Sequence, residues 1–233
     1  MVPLEINRII TDRLSSLYFT PSADADQNLL KEGVSKNKIH FVGNVMIDTL
    51  VRFLPKIRTQ KTKLDHKRYG VLTLHRPSNV DDKRTLRKIF KELNIIAEVV
   101  PLIFPVHPRT KKMLESLSGF KLHKHLILSE PMGYLDFLSL VRRAAFVITD
   151  SGGIQEETTY LGVPCLTLRK NTERPITITM GTNTLIGNDF KSLNNKIDEI
   201  LKGTYKKGNI PPKWDGKAAE RIAKIIVRGA FSA

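Results

Sequence analysis

The stretch Thr149-Asp150-Ser151-Gly152-Gly153-Ile154-Gln155-Glu156-Glu157 follows a short apolar run and leads into a helical pattern. A strand, a small-residue turn and a helix in that order suit an anion. Two glycines let a phosphate approach the backbone, and free N–H groups at the helix start face it with the positive end of the dipole. Ser151, Gly152 and Gly153 are the candidate phosphate contacts. Glu157, about one turn further on, is placed to accept hydrogen bonds from sugar hydroxyls. The same residues also suit an ordinary helix start, with Asp150 or Ser151 as cap and the following glutamates favourably placed on the dipole.

Four further loops carry candidate chemistry. In Leu74-His75-Arg76-Pro77 a polar pair leaves an apolar strand and Pro77 prevents simple helical continuation. The His75 imidazole there can bind or protonate a phosphate oxygen with Arg76 adding charge, or it can tie down its own loop. Val106-His107-Pro108-Arg109 has the same strand-then-His layout, read either as ligand contact by His107 or as a rigid proline-flanked turn. Arg174, in Asn171-Thr172-Glu173-Arg174-Pro175, either reaches the same anion or is surface charge. Phe137, in Gly133-Tyr134-Leu135-Asp136-Phe137, either stacks on a base or belongs to the core. His75, His107 and His125 lack metal-ligand spacing, and no HExxH or cysteine pair occurs, so no metal is expected.

These loops need elements to hold them. Short β-branched runs alternate with helix-period segments, the pattern of βα units around a mostly parallel sheet. Strands are expected near residues 17–20, 39–42, 69–74, 102–106, 126–128, 146–149 and 164–168. Ser22 is expected to cap a helix ending at Gly33, and Asp81 one that carries Leu86, Ile89, Phe90 and Leu93 on one face. Two more helices are expected over residues 193–201 and 217–227, and the polar stretch 59–67 reads as an exposed connection. In an open parallel sheet the ligand lies outside the carboxyl ends of the strands, where all five loops sit.

Composition bounds the reading. A chain of 233 residues with 41% hydrophobic and 26% charged residues is long enough for a sizeable core and is not a disordered segment. Its apolar runs are too short to span a bilayer, and its start shows no signal-peptide pattern. The lone Cys165 lies in an apolar run and reads as a buried thiol, so a reducing, cytoplasmic setting is expected. A net charge of +15 attracts polyanions in general. It admits a basic nucleic-acid-binding domain, yet aromatics are only 7% and no aromatic ladder accompanies the basic runs.

Together the motifs resemble one family. Val42-Gly43-Asn44, His75-Arg76-Pro77, His107-Pro108, Asp150-Ser151-Gly152-Gly153-Ile154-Gln155-Glu156-Glu157, Asn171-Thr172-Glu173-Arg174-Pro175 and Asp215-Gly216-Lys217-Ala218 occur in the order seen in the non-hydrolysing UDP-N-acetylglucosamine 2-epimerases. The resemblance runs from about Pro3 to Ile226 and is to the carboxyl-terminal half of such an enzyme. It implies an α/β fold with a Rossmann-like, doubly wound parallel sheet of the glycosyltransferase-B type. Residues 1–16 would then form a junction helix, 17–210 the UDP-sugar-binding domain and 211–233 a closing helix.

The resemblance further implies interconversion of UDP-GlcNAc and UDP-ManNAc by elimination and re-addition of UDP, without metal or other cofactor, as part of cell-surface polysaccharide biosynthesis. Ser151, Gly152 and Gly153 would receive the diphosphate, Glu157 the ribose and Phe137 the uracil. Arg174, Arg76, His107 and His75 would lie near them, with His75 the catalytic candidate. Three departures bear on turnover, the change at Ile176 being the least. The family's Pro-Glu-Glu-Ile-Asn-Arg reads Pro3-Leu4-Glu5-Ile6-Asn7-Arg8 here, and its later Arg-Pro-Glu reads Arg174-Pro175-Ile176. The family's amino-terminal acid/base segments have no counterpart, so a separate polypeptide is expected if the chain turns over substrate, and the face that half would cover is expected to be exposed and to favour self-association or partner binding. A UDP-sugar binder without catalysis is the competing expectation.

Overall fold

The computed structural model describes residues 3–57 and 68–230, so the connection expected over 59–67 lies outside the described residues. In chain order the elements are α1 (Pro3–Leu14), β1 (Tyr18–Thr20), α2 (Ala23–Lys31), β2 (Ile39–Phe41), α3 (Val45–Phe53), β3 (Gly70–Thr73), α4 (Pro77–Val80) and α5 (Lys83–Val99). There follow β4 (Leu102–Pro105), α6 (Pro108–Glu115), β5 (Leu126–Ser129), α7 (Tyr134–Arg142), β6 (Phe146–Thr149) and α8 (Gly152–Leu161). The last are β7 (Cys165–Thr167), α9 (Ile176–Thr179), β8 (Asn183–Leu185), α10 (Phe190–Lys202) and α11 (Ala218–Ala230). The chain divides into two compact units, residues 1–52 with 211–233, and residues 53–210.

The larger unit holds a six-stranded sheet in the order β5-β4-β3-β6-β7-β8, with every pairing parallel. The chain starts in the middle at β3, runs outward through β4 and β5, then returns to the other side of β3 with β6 and runs outward again. The order therefore reverses between β3 and β6, and at such a switch point the loops leaving the two strands diverge and open a crevice. The register Thr73↔Thr149 brings the two loops out side by side.

Both faces of this sheet are covered, which is why its strands read as continuous apolar runs. Alternation with period two divides them. Leu72, Phe104, Phe146, Ile148 and Leu166 face Leu86, Ile89, Phe90 and Leu93 of α5 and Leu193 and Ile197 of α10. Val71, Ile103 and Val147 point the other way, against Leu140 and Val141 of α7 and Ile154 and Leu161 of α8. Each such wholly buried side chain contributes roughly 1.5–3 kcal/mol. Helix α8 stops at Gly162, which takes the left-handed conformation (φ 70°) at little cost because it has no Cβ.

In the smaller unit β1 and β2 pair in parallel with each other as a separate two-stranded sheet rather than joining the six. Trp214 is 2% exposed and donates from Nε1 to the Pro21 carbonyl at 2.9 Å. Asp48 accepts from the backbone N–H groups of Ala218 and Ala219 at the start of α11.

Several expected elements are corrected. The cap of the helix with Leu86 and Phe90 is Asp82, which accepts from Thr85 N at 2.8 Å, whereas Asp81 closes α4. Ser22 sits at the start of α2 but its side chain makes no cap bond. The strand β8 was not expected from the sequence: Asn183-Thr184-Leu185 carries two polar residues of three. Among the described residues no helix is long and apolar enough to cross a membrane.

Candidate functional site

Strand β6 ends at Thr149, whose hydroxyl accepts from Ser151 N at 3.0 Å and shares a 2.7 Å hydrogen bond with the Thr73 hydroxyl. This bond joins the last residues of β3 and β6 at the switch point. Ser151 has extended backbone (φ −86°, ψ 135°) and begins α8, yet its side chain makes no cap bond. Asp150 does not cap the helix either, since its carboxylate turns towards the loop after β3. The capping alternative is therefore not realised, and the N–H groups of the first turn of α8 stay available to an anion. A Cβ built on Gly152 meets nothing within 4 Å, so there is room beside this residue.

Asp150 is fully buried and is the hub of the site. It accepts from His75 N at 3.2 Å, Arg76 N at 3.0 Å and Asn79 Nδ2 at 3.1 Å, and meets His75 Nδ1 at 3.0 Å. Its own carbonyl takes Arg76 Nε at 3.0 Å, which directs the guanidinium onto the β6 loop. Burial alone would raise the Asp150 carboxyl, but His75, the Arg76 N–H and Asn79 outweigh it and hold the carboxyl below its ordinary range. In return the hydrogen bond that Nδ1 donates to Asp150 raises the His75 imidazole against the opposing effect of burial. With Nδ1 pinned on the carboxylate, His75 presents its Nε2 edge outward, and the side chain is 57% exposed.

Residues 155–157 lie on successive positions of α8, about 100° apart around its axis, so they point three ways. All three are buried. Gln155 points to Thr172 in the loop after β7 and to Asn183 of β8. Glu156 meets Arg174 Nε at 2.8 Å, which ties the loop after β7 to the helix. Glu157 accepts from the Tyr134 hydroxyl at 2.9 Å. Burial raises the Glu157 carboxyl, Tyr134 lowers it and Glu156 raises it further, with a net rise. In the same loop Arg169 pairs with Glu173 at 2.6 Å and holds that carboxyl down to about 2.

The expected residues thus fall into two sets. Ser151, Gly152, Gly153, Glu157, His75, Arg76 and Arg174 are linked by hydrogen bonds or adjacency around β3, β6 and α8. Phe137 is partly buried against the cluster of Tyr69, Val71 and Ile103, as a core residue would be, and keeps some exposure. His107 stands apart: it is exposed, and its Nδ1 accepts from Arg109 N at 3.3 Å to cap its own helix α6. The rigid-turn alternative is what this bond describes. Cys165 is fully buried, which pushes its thiol up to about 11. Among the described residues no group of three His, Cys, Asp or Glu side chains is placed to hold a metal.

Sequence reasoning missed Asp150 as the partner of His75, Asn79 as its second support, and Tyr134. Three consecutive polar residues, Gln155-Glu156-Glu157, in a helix between two buried strands were a usable signal, because each must find a partner if the helix is covered.

Residues 2–227 match the family model of UDP-N-acetylglucosamine 2-epimerase. A UDP-N-acetylglucosamine 2-epimerase of Methanocaldococcus jannaschii is 41% identical over 243 residues, covering 99% of this chain and 66% of the relative. The solved structure of the M. jannaschii enzyme in complex with UDP-GlcNAc and UDP superposes with a TM-score of 0.83 at 39% identity, covering 96% of this chain and 64% of that one. The Neisseria meningitidis enzyme bound to UDP-GlcNAc gives 0.81 at 29% identity, covering 97% and 65%. The chain spans just under two thirds of the length of the relatives it matches.

Proposed function

Because the chain belongs to the UDP-N-acetylglucosamine 2-epimerase family, we propose that it binds a UDP-sugar at the crevice between the β3 and β6 loops and serves the interconversion of UDP-GlcNAc and UDP-ManNAc. The observation that carries this reading is the uncapped start of α8 at the switch point, with room beside Gly152 and the side chains of His75, Arg76 and Arg174 tied around it.

The diphosphate lies on the Ser151 hydroxyl and the N–H groups of Gly152 and Gly153, where the helix dipole and the closeness of the glycine backbone both favour it. Glu157, one turn further on, accepts from the ribose hydroxyls in place of the Tyr134 hydroxyl, and the exposed part of Phe137 carries the uracil. His75 meets a diphosphate oxygen through Nε2. Its raised pKa keeps more of it as imidazolium, a donor that strengthens as negative charge grows on the departing UDP. The C1–oxygen bond breaks with its electron pair passing to UDP while the C2 proton is removed, which leaves a glycal; UDP then adds back to C1 as a proton returns to the opposite face of C2. The part of these residues is the UDP half of that sequence, holding the diphosphate and stabilising its charge. The groups that handle the C2 proton belong to the remaining third of the relatives' length, joined to this chain or carried by a separate polypeptide.

The test is calorimetric titration with UDP and UDP-GlcNAc, beside an NMR assay for UDP-ManNAc. Wild type should bind both. Gly152→Asp, which sets a carboxylate where the diphosphate would lie, should abolish binding and leave the fold intact. Absence of wild-type binding would overturn the proposal.

A further inference from the structure

Gln155 is fully buried one residue before Glu156, and both the oxygen and the nitrogen of its amide are hydrogen-bonded. Oε1 accepts from the Thr172 hydroxyl at 2.7 Å and from Asn183 Nδ2 at 3.0 Å, while Nε2 donates to the Ser151 carbonyl at 3.1 Å. Asn183 is oriented in turn by the Thr167 hydroxyl, which donates to its Oδ1 at 2.7 Å, and its Nδ2 also reaches the Thr177 hydroxyl at 3.1 Å.

The direction of these bonds matters. Thr172 gives its single proton to Gln155, so its oxygen is free to accept from Arg174 N at 3.0 Å. Thr177 accepts from Asn183, so its own proton goes to the Arg174 carbonyl at 2.7 Å. The backbone of Arg174 is therefore held at both its N–H and its C=O by one polar network, and the centre of that network is the Gln155–Asn183 pair. The third arm of Gln155 ends on Ser151, the first residue of the anion turn.

An apolar side chain of similar volume could fill this position without unmet hydrogen bonds of its own, so burial alone gives no reason for an amide here. What an amide supplies is a unique arrangement, since a fully satisfied network specifies the orientation of each member. We infer that Gln155 is a positioning residue for the nucleotide diphosphate, one that couples the Ser151 turn to Arg174 so that both converge on the same anion. This inference rests on the UDP-binding reading above.

The experiment is a double-mutant cycle read by UDP calorimetry on the full chain, with thermal unfolding followed in parallel. Gln155→Met and Thr172→Val are each made with Arg174 present and with Arg174→Ala. With Arg174 in place, each change should release it from its binding position and so forfeit about one net hydrogen bond to UDP, an affinity about tenfold weaker. Without Arg174 the same changes should cost less than about twofold, because nothing remains for them to position. Thr172→Val removes only the loop arm at a partly exposed site, so it reports even if Gln155→Met fails to fold. A lowered melting temperature with unchanged UDP affinity, or equal losses with and without Arg174, would overturn the inference alone. A wild-type chain that does not bind UDP would overturn the functional reading and the inference together.

Discussion

The loops after β3 and β4 read alike in sequence, an apolar strand followed by His75-Arg76-Pro77 in one and His107-Pro108-Arg109 in the other, yet they end in different states. His75 is clamped to a fully buried carboxylate, and the backbone of its loop is held by the same group. His107 caps its own helix, and its neighbour Arg109 pairs with Asp81 at 2.6 Å between partly exposed side chains. The difference comes from strand order. β3 lies beside β6, which delivers Asp150, whereas β4 lies between β3 and β5. The same local motif becomes an imidazole oriented by a carboxylate in one place and a helix cap in the other, because only one of them has a buried acid as neighbour.

The largest effect should come from removing that acid. Asp150→Ala leaves the N–H groups of His75 and Arg76 without their acceptor and Asn79 Nδ2 with only the Leu168 carbonyl, and should cost about 3–5 kcal/mol in urea unfolding. On the other loop Asp81→Ala should cost less than ~1 kcal/mol, as exposed pairs do. Equal losses would erase the distinction between the loops. Next in size, His75→Ala should weaken UDP binding about 10- to 100-fold, the range of a charge-assisted hydrogen bond, while His107→Ala should stay within about twofold by calorimetry. A comparable loss at both positions would restore His107 to the site.

The third effect is on pH dependence. The folded-state pKa of His75 is raised above 6.5, so its stabilisation is complete below that value and lost as the pH rises through the folded pKa. That of Asp150 is lowered below 3.8, so its stabilisation is present above 3.8 and lost as the pH falls through the folded pKa. The pair therefore contributes most between pH 3.8 and 6.5. Discounted for the exposure of His75, the alkaline loss should stay below ~1 kcal/mol, and it should vanish in His75→Gln when unfolding is followed against pH. The smallest effect is expected for Arg109→Ala, about 0.2–1 kcal/mol in stability with UDP affinity unchanged.

Much of the fold was legible because its signals are local. The apolar runs at β3, β4 and β6 announce strands covered on both faces, and the spacing of Leu86, Ile89, Phe90 and Leu93 announces the buried face of α5. Strand β8 escaped notice because Asn183 and Thr184 are polar. Their side chains bond to Gln155, Thr177 and Tyr205, partners that no local pattern reveals.

The site divides in the same way. The Ser151-Gly152-Gly153 turn and the proline-stopped histidine loops were visible from the sequence, because backbone freedom and helix starts depend on neighbouring residues. So was the family. The pairing of His75 with Asp150, 75 positions away, and the two-point hold on Arg174 were decided only in three dimensions. Both depend on which strands lie side by side and on which buried polar groups must then satisfy one another. Neither condition exists in the chain until the sheet has closed around β3 and β6.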